Sequence, residues 1–328
     1  CMKKIACVGY HATGAGVIDD LFREFDNVTQ GQYECEMRVL QDPDGISDLE
    51  YNLVENPHRL NSGFAIKRFK KYVDRMDRTY RKIFGKKWKS ISYDYAESLA
   101  KINYNGYWHG DIWLLNWFWQ YYFLFRRMVN KIKPKRFKEP SYYNYFPNLK
   151  TYHAVLSEED FLNKTRTYVD ELCQVMNPKN VEFVLLDQIL SPSNPRRYMR
   201  YVNDVKVIVV DRDPRDVYIS QQKGKDHVLP RDPHEFCTVY RDTRSKLYSQ
   251  TDENCMYISF EKMIYDYEES VKKICDFVGV SASHHVRKRT RFIPEKSKKN
   301  TQQWMSTHAY DDAVKIIETE LSEFLHNY

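Results

Sequence analysis

An α/β fold, a phosphate-loop-like parallel sheet flanked by helices with a large helical, aromatic-rich insertion, is predicted by three features of the sequence. Two apolar strand runs each break into a turn that opens a helix, the first within residues 3–22 and the second within 206–220. The second run, Val207-Ile208-Val209-Val210, is continuous and β-branched, as suits a strand covered on both faces. Between them, residues 50–175 differ in composition, being dense in Lys, Arg, Trp and Tyr. The two strand–turn–helix segments flank that stretch and must share one sheet. The chain therefore reads as one domain over 1–328, interrupted by a helical insertion at 50–175.

Lys3-Lys4-Ile5-Ala6-Cys7-Val8 supplies the first strand. Gly9-Tyr10-His11-Ala12-Thr13-Gly14-Ala15-Gly16 follows as a small-residue turn, and Val17, Ile18, Leu21 and Phe22 then recur with helical spacing. A turn so poor in side chains lets backbone N–H groups close around a phosphate, which makes Ala12, Thr13, Gly14, Ala15 and Gly16 candidate anion-binding positions. Nucleoside triphosphatases require Gly-Lys-Ser/Thr in such a loop, whereas Gly14 here is followed by Ala15-Gly16. A second strand is expected over residues 33–40.

Within the insertion, residues 67–89 carry eleven Lys/Arg against two Asp on a helical pattern set by Phe69, Tyr72, Val73, Met76, Tyr80, Ile83 and Phe84. One face should pack and the other be positive, either simply solvated or meeting an anionic acceptor or acidic lipid headgroups. Residues 104–129 hold Trp108, Trp113, Trp117 and Trp119. The apolar run 112–125 contains Asn116 and Gln120 and, at about fourteen residues, is too short and too polar to span a bilayer; a buried helix is expected. The alternatives are an acceptor-pocket lining, or a helix in a membrane interface with Arg126, Arg127, Lys131 and Lys133 at the headgroups. Residues 133–148, with Pro134, Pro140 and Pro147, read as a long loop and a candidate gate.

Residues 181–186 form the next strand, and Asp187 emerges at its carboxyl end, where an open α/β sheet has its crevice. The run at 207–210 ends in Asp211-Arg212-Asp213-Pro214, with Pro214 placed where a helix begins. Arg212 offers a planar fork for a phosphate, and Ser220, further along the helix, can add a hydroxyl. Residues 256–263 read as a strand running into an acidic turn. Val271, Ile274, Cys275, Phe277 and Val278 then mark the inner face of an amphipathic helix closed by Gly279.

Residues 206–220 resemble the 3′-phosphate-binding motif of sulfotransferases that use 3′-phosphoadenosine 5′-phosphosulfate (PAPS). In that family the arginine before an Asn/Asp-Pro pair and the serine eight residues later hold the 3′-phosphate, which are Arg212 and Ser220 here. The turn at 9–16 resembles the family's 5′-phosphosulfate loop, and residues 256–279 resemble its late strand, acidic turn and helix end. Residues 289–304 resemble its lid. There Thr290 and Phe292 match positions near the adenine, and Lys298 and Lys299, about six residues before Trp304, match a basic pair that reaches the 3′-phosphate. The family's Arg-Lys-Gly is not literally present. These motifs stand in the family's chain order and cover roughly the first 40 and last 150 residues; 50–175 matches nothing.

The resemblance implies transfer of a sulfuryl group from PAPS to a hydroxyl of a glycan, lipid or sterol-like acceptor, with adenosine 3′,5′-bisphosphate as product and no metal. The family's loop lysine, which neutralises the leaving oxygen, has Ala12 in its place, and His11 is the neighbour able to supply a proton. Losing one such donor costs on the order of a hundred- to a thousand-fold in rate, so a weak or inactive nucleotide-binding scaffold stays open. A small-molecule kinase is the third reading. For the general base, Asp187 is the first candidate and Glu36 the second.

A net charge of +6 over 328 residues suits an anionic cofactor. No recognition-helix, zinc-finger or aromatic RNA-sheet pattern occurs, so nucleic acid is not an expected partner. Seven scattered cysteines without a Cys-x-x-Cys argue for a reducing compartment and against a metal site, and a cytoplasmic protein is expected. The strand that begins almost at once is read as leaving no room for a secretory signal.

Overall fold

The computed structural model describes residues 2–30, 36–106, 108–138, 149–224, 228–245 and 252–328. The chain divides into two compact units, Cys1–Arg38 with Met176–Tyr328, and Val39–Val175. The first opens with β1 (Lys3–Gly9), α1 (Gly16–Phe22) and β2 (Val28–Thr29). The second contains α2 (Ile46–Glu50), α3 (Arg59–Phe84), α4 (Lys87–Ser98), β3 (Ile102–Asn105), α5 (Trp117–Ile132), β4 (Lys150–His153) and α6 (Glu158–Met176). The chain then returns to the first unit with β5 (Phe183–Asp187), α7 (Pro195–Met199), β6 (Val205–Asp211), α8 (Pro214–Lys223) and α9 (Pro233–Ser245). β7 (Cys255–Ser259), α10 (Phe260–Tyr265), α11 (Tyr267–Val278), α12 (Pro294–Ser297), α13 (Gln303–Ser306) and α14 (Asp311–Glu320) complete it.

The sheet of the first unit is parallel throughout, in the order β2-β5-β1-β6-β7. Its central strands are apolar runs because both faces are covered: Ile5 to Val8 and Val207 to Val210 are fully buried. Register aligns Cys7 with Asp187, Gly9 with Val210 and Asp211 with Ser259, so four strands end along one edge. α1 and α11 pack Ile18, Leu21, Val271 and Ile274 into one cluster, while Val217 of α8, Phe236 of α9 and Ile317 of α14 form another. Pro214 occupies the first turn of α8, and Asp213 caps it by accepting from the Arg215 N–H at 2.9 Å. Such a cap contributes about 1 kcal/mol. Gly279 ends α11 at φ 78°, a left-handed turn that glycine adopts without strain.

The expected second strand at 33–40 is corrected. The sheet's edge is built by Val28 and Thr29 against β5, and residues 36–40 form no strand. Met37 donates one backbone hydrogen bond to Asp187 O at 2.8 Å, too little for a ladder. Residues 31–35 lie outside the described residues.

The second unit is helical, with one antiparallel strand pair, β3 and β4. As the spacing predicts, α3 buries Phe69, Tyr72, Val73, Tyr80 and Phe84, and rings from α4 and α6 close on them: Tyr80 lies 4.6 Å from Trp88, and Tyr95 stacks on Tyr168 at 4.4 Å. The buried helix expected at 112–125 is also corrected. In α5 only Phe123 is buried, and its other rings and aliphatic chains are exposed or partly exposed. Of the long loop at 133–148, residues 139–148 lie outside the described residues. Among those described, no helix is long and apolar enough to cross a membrane.

Candidate functional site

The register that sets Gly9 against Val210 brings the turn after β1 beside the turn after β6. Arg212 joins them. Its Nη1 donates to Ala12 O at 2.9 Å, and its Nη2 donates to Asn300 O. The early loop, the arginine turn and the late lid thus converge on one side chain that is 7% exposed. Phe260 lies under the guanidinium, 5.1 Å from ring centroid to Cζ. Burial lowers the Arg212 pKa from its ordinary value, while Asp216 and Glu261 pull it back up. Arg212 Nε is buried and has no hydrogen-bond partner.

The loop holds the shape that its small residues predict. Gly14 sits at φ +80°, and a Cβ there would lie 2.6 Å from the Phe260 ring, so glycine is required both for backbone conformation and for space. Thr13 is fully buried and turns inward, its hydroxyl donating to Tyr10 O at 2.8 Å. Among the described residues, the N–H groups of Gly14 and Ala15 make no hydrogen bond. An anion at this turn would satisfy them, as it would the free Nε of Arg212.

Ser220 accepts from Gln303 Nε2 at 2.8 Å. Gln303 was not foreseen in the sequence, yet it organises this corner. Its backbone N–H and that of Gln302 donate to the two carboxylate oxygens of Asp216, at 2.7 and 2.8 Å, and its Oε1 accepts from Lys223 at 3.0 Å. Asp213 holds Arg215 through two bonds, from Nε at 3.0 Å and from Nη2 at 2.7 Å, and the Arg215 guanidinium lies 4.1 Å from the Trp304 ring. Two charged groups of the Asp213-Pro214-Arg215-Asp216 run therefore lock the lid helix α13 onto α8. Arg244, also unforeseen, pairs with both Asp211 oxygens at 2.8 Å and lies 3.8 Å from the ring of Tyr10 in the loop.

Lys298 and Lys299 are exposed on the lid, Lys298 lying 5.5 Å from the Tyr265 ring. Thr290 is exposed and donates its hydroxyl to Arg287 O at 2.7 Å. Phe292 is not at a surface. It is buried in the core beside Tyr267, with ring centroids 5.7 Å apart. Its backbone N–H and that of Arg291 donate to Glu24 Oε1, that of Arg289 to Glu24 Oε2, and His285 Nε2 lies 2.6 Å from Oε2. Glu24 thereby anchors the start of the lid from α1's side of the core.

Asp187 ends β5 at the same edge as the loop, partly buried. Desolvation, with help from Asp19 and Glu36 and against Arg23, pushes its carboxyl up to about 7. Glu36 is exposed and pairs with Arg38 at 3.4 Å. His11 is exposed on the loop. A cavity of about 380 Å³ opens at the ends of β6 and β7, with Arg212 itself among its lining residues. Acids such as Asp213, Glu261 and Glu269 outnumber the bases Arg212, Lys262 and Lys273 in its lining, which suits the cavity itself poorly to a bisphosphate. Among the described residues no cluster of His, Cys, Asp and Glu could hold a metal ion.

A sulfotransferase domain profile matches residues 110–325. No curated protein matches the chain by sequence. Among solved structures, the sulfotransferase STF1 from Mycobacterium tuberculosis H37Rv is 11% identical, with a TM-score of 0.36 over 92% of this chain and 77% of that one. The sulfotransferase STF9 from Mycobacterium avium is 12% identical, with a TM-score of 0.39 over 99% of this chain and 77% of its own.

Proposed function

The chain belongs to the sulfotransferase family, and on that premise we propose that it uses PAPS to sulfate a hydroxyl of a glycan, lipid or sterol-like acceptor. The observation that carries this reading is the junction at Arg212. A buried cation with one unsatisfied N–H stands between a loop with unbonded N–H groups and a lysine-bearing lid. In such a site the 5′-phosphosulfate falls to the N–H groups of Gly14, Ala15 and Gly16, with Ala12 and Thr13 shaping the turn. The 3′-phosphate falls to Arg212 and Ser220, replacing Asn300 O and Gln303 Nε2 as their partners, and Lys298 and Lys299 add positive charge from the lid. Of the two lid positions assigned to the adenine, Thr290 lies at the surface, and Phe292 acts from the core by supporting the lid backbone.

When bound, PAPS supplies an activated sulfuryl group whose leaving group is adenosine 3′,5′-bisphosphate. The protein's share is to hold charge and move protons. Asp187, with its carboxyl near 7, is matched to taking the acceptor's proton at neutral pH. Glu36, near enough to raise the Asp187 pKa, is the second candidate base. To His11, exposed on the loop, we assign the proton for the departing oxygen, in the role the family gives to the lysine replaced by Ala12. We assign acceptor choice to the second unit and place the protein in the cytoplasm, in keeping with five cysteines outside any disulfide among the described residues.

The test is incubation with PAPS and panels of glycans, lipids and sterols, following adenosine 3′,5′-bisphosphate. Release that depends on an acceptor is expected. Nucleotide binding without release in any panel would leave a binding scaffold instead, and stabilisation by ATP with magnesium alone would leave a kinase.

A further inference from the structure

α5 turns the usual helix inside out. Trp117, Tyr121, Leu124, Phe125, Met128 and Ile132 are all exposed, Trp117 at 70% and Ile132 at 78%. At about 100° per residue these six positions fall within an arc of about 100°, on the side away from the buried Phe123. Trp113, just before the helix, is also 76% exposed. A contiguous apolar stripe of this length, about 24 Å, is not left to water without a partner.

The charge around the stripe says what that partner is. Seven Lys and Arg lie between residues 126 and 138, and no Asp or Glu occurs between Asp111 and Glu139. A second copy of the chain would bring an equally cationic surface against this one, and like charges oppose such pairing. A small acceptor calls for a concave site, whereas the stripe is the convex side of a helix. A flat anionic surface with an apolar interior meets both demands. Trp and Tyr suit its boundary, where one edge of the ring is dry and the other wet. The length and charge fit a helix lying in the plane of such a surface, not crossing it.

We propose that the outer face of α5, with the basic segment that follows it, docks the protein on an anionic phospholipid surface. This does not depend on the sulfuryl-transfer reading. The experiment is vesicle co-sedimentation of the full chain, with phosphatidylcholine vesicles alone and with about a third phosphatidylserine, together with tryptophan emission. The wild type binds the anionic vesicles, its emission shifts to the blue, and added salt weakens the binding. Leu124→Asp with Met128→Asp lowers affinity at least tenfold without changing the melting temperature, since both positions are exposed. Arg127→Gln and Lys131→Gln each lower it about fivefold. No binding to either vesicle overturns the proposal. So does loss with the charge variants but none with the aspartate pair, which marks a soluble polyanion site. A dimer in solution that the aspartate pair converts to monomer, without vesicle binding, marks a face between copies.

Discussion

Arg212 in the first unit is 7% exposed, whereas Trp117 in the second is 70% exposed. Each is on the wrong side of the usual division between polar surface and apolar interior. The first unit buries Glu24, Asp213, Asp216 and Glu261 along with that arginine, and for Glu24, Asp213 and Asp216 the cost of removing charge from water is offset by named partners. Glu24 receives three backbone N–H groups, and Asp216 receives two. The rings of Trp117, Tyr121 and Phe125 in α5 stay exposed. The contrast teaches where each unit's function lies. The first holds its unusual groups in place from within, as a binding site must be held; the second leaves them for a partner from outside.

The largest effect that could break this contrast is at Glu24. Glu24→Gln puts an amide donor against N–H donors in a sealed site, and a loss of about 3–5 kcal/mol in urea unfolding is expected. A loss below about 1 kcal/mol would show that the acid is not what anchors the lid.

Asp187 sharpens the contrast, because its function and its stability effect run in opposite directions. Its folded pKa of about 7 lies above the ordinary carboxyl value. Between about pH 4 and pH 7 the folded chain therefore holds a proton that the unfolded chain has released. Stability from this group is present at low pH and declines as pH rises through that window. Asp187→Asn should remove that decline, with Glu261, also raised to about 7, keeping its own share. In the same variant the transfer rate at pH 8 should fall by about a hundredfold or more, and the wild-type rate should climb through pH 7 as the base ionises. A variant with normal rate and an unchanged stability profile would remove Asp187 from the site.

The smallest effect belongs to the second unit. The aspartate pair at Leu124 and Met128 should change unfolding free energy by no more than about 0.5 kcal/mol, because both side chains are exposed. A loss of several kcal/mol would place the stripe inside a core and end the comparison.

The strands that were legible in the sequence are those whose residues alone specify burial. β1, β6 and β7 are apolar runs, and Pro214 and Gly279 punctuate their helices as the chain predicts. β2 was not, since two residues carry no periodicity and its place depends on β5. The β3–β4 pair depends likewise on residues far apart in the chain. In the candidate site, the small-residue turn after β1 and the place of Arg212 just before α8 follow from residue type and order. Glu24 and Gln303 were not legible, because their roles arise from N–H groups and hydroxyls brought to them from distant segments; the one local hint for Gln303 was the neighbouring Trp304. Phe292 was placed by resemblance near a ligand, and its burial shows a core role that sequence position could not reveal. The outward turn of α5 was hidden for a different reason. Helical spacing gives the width of an apolar stripe and says nothing of whether it points inward or outward.

The central claim is that Arg212 unites the two turns and the lid around a bisphosphorylated adenosine. It is tested most directly by calorimetric titration of adenosine 3′,5′-bisphosphate into the wild type and Arg212→Ala. Binding weaker by about 2–4 kcal/mol in a folded variant is the predicted result. Equal affinity of the two proteins, or no binding by either, would contradict it.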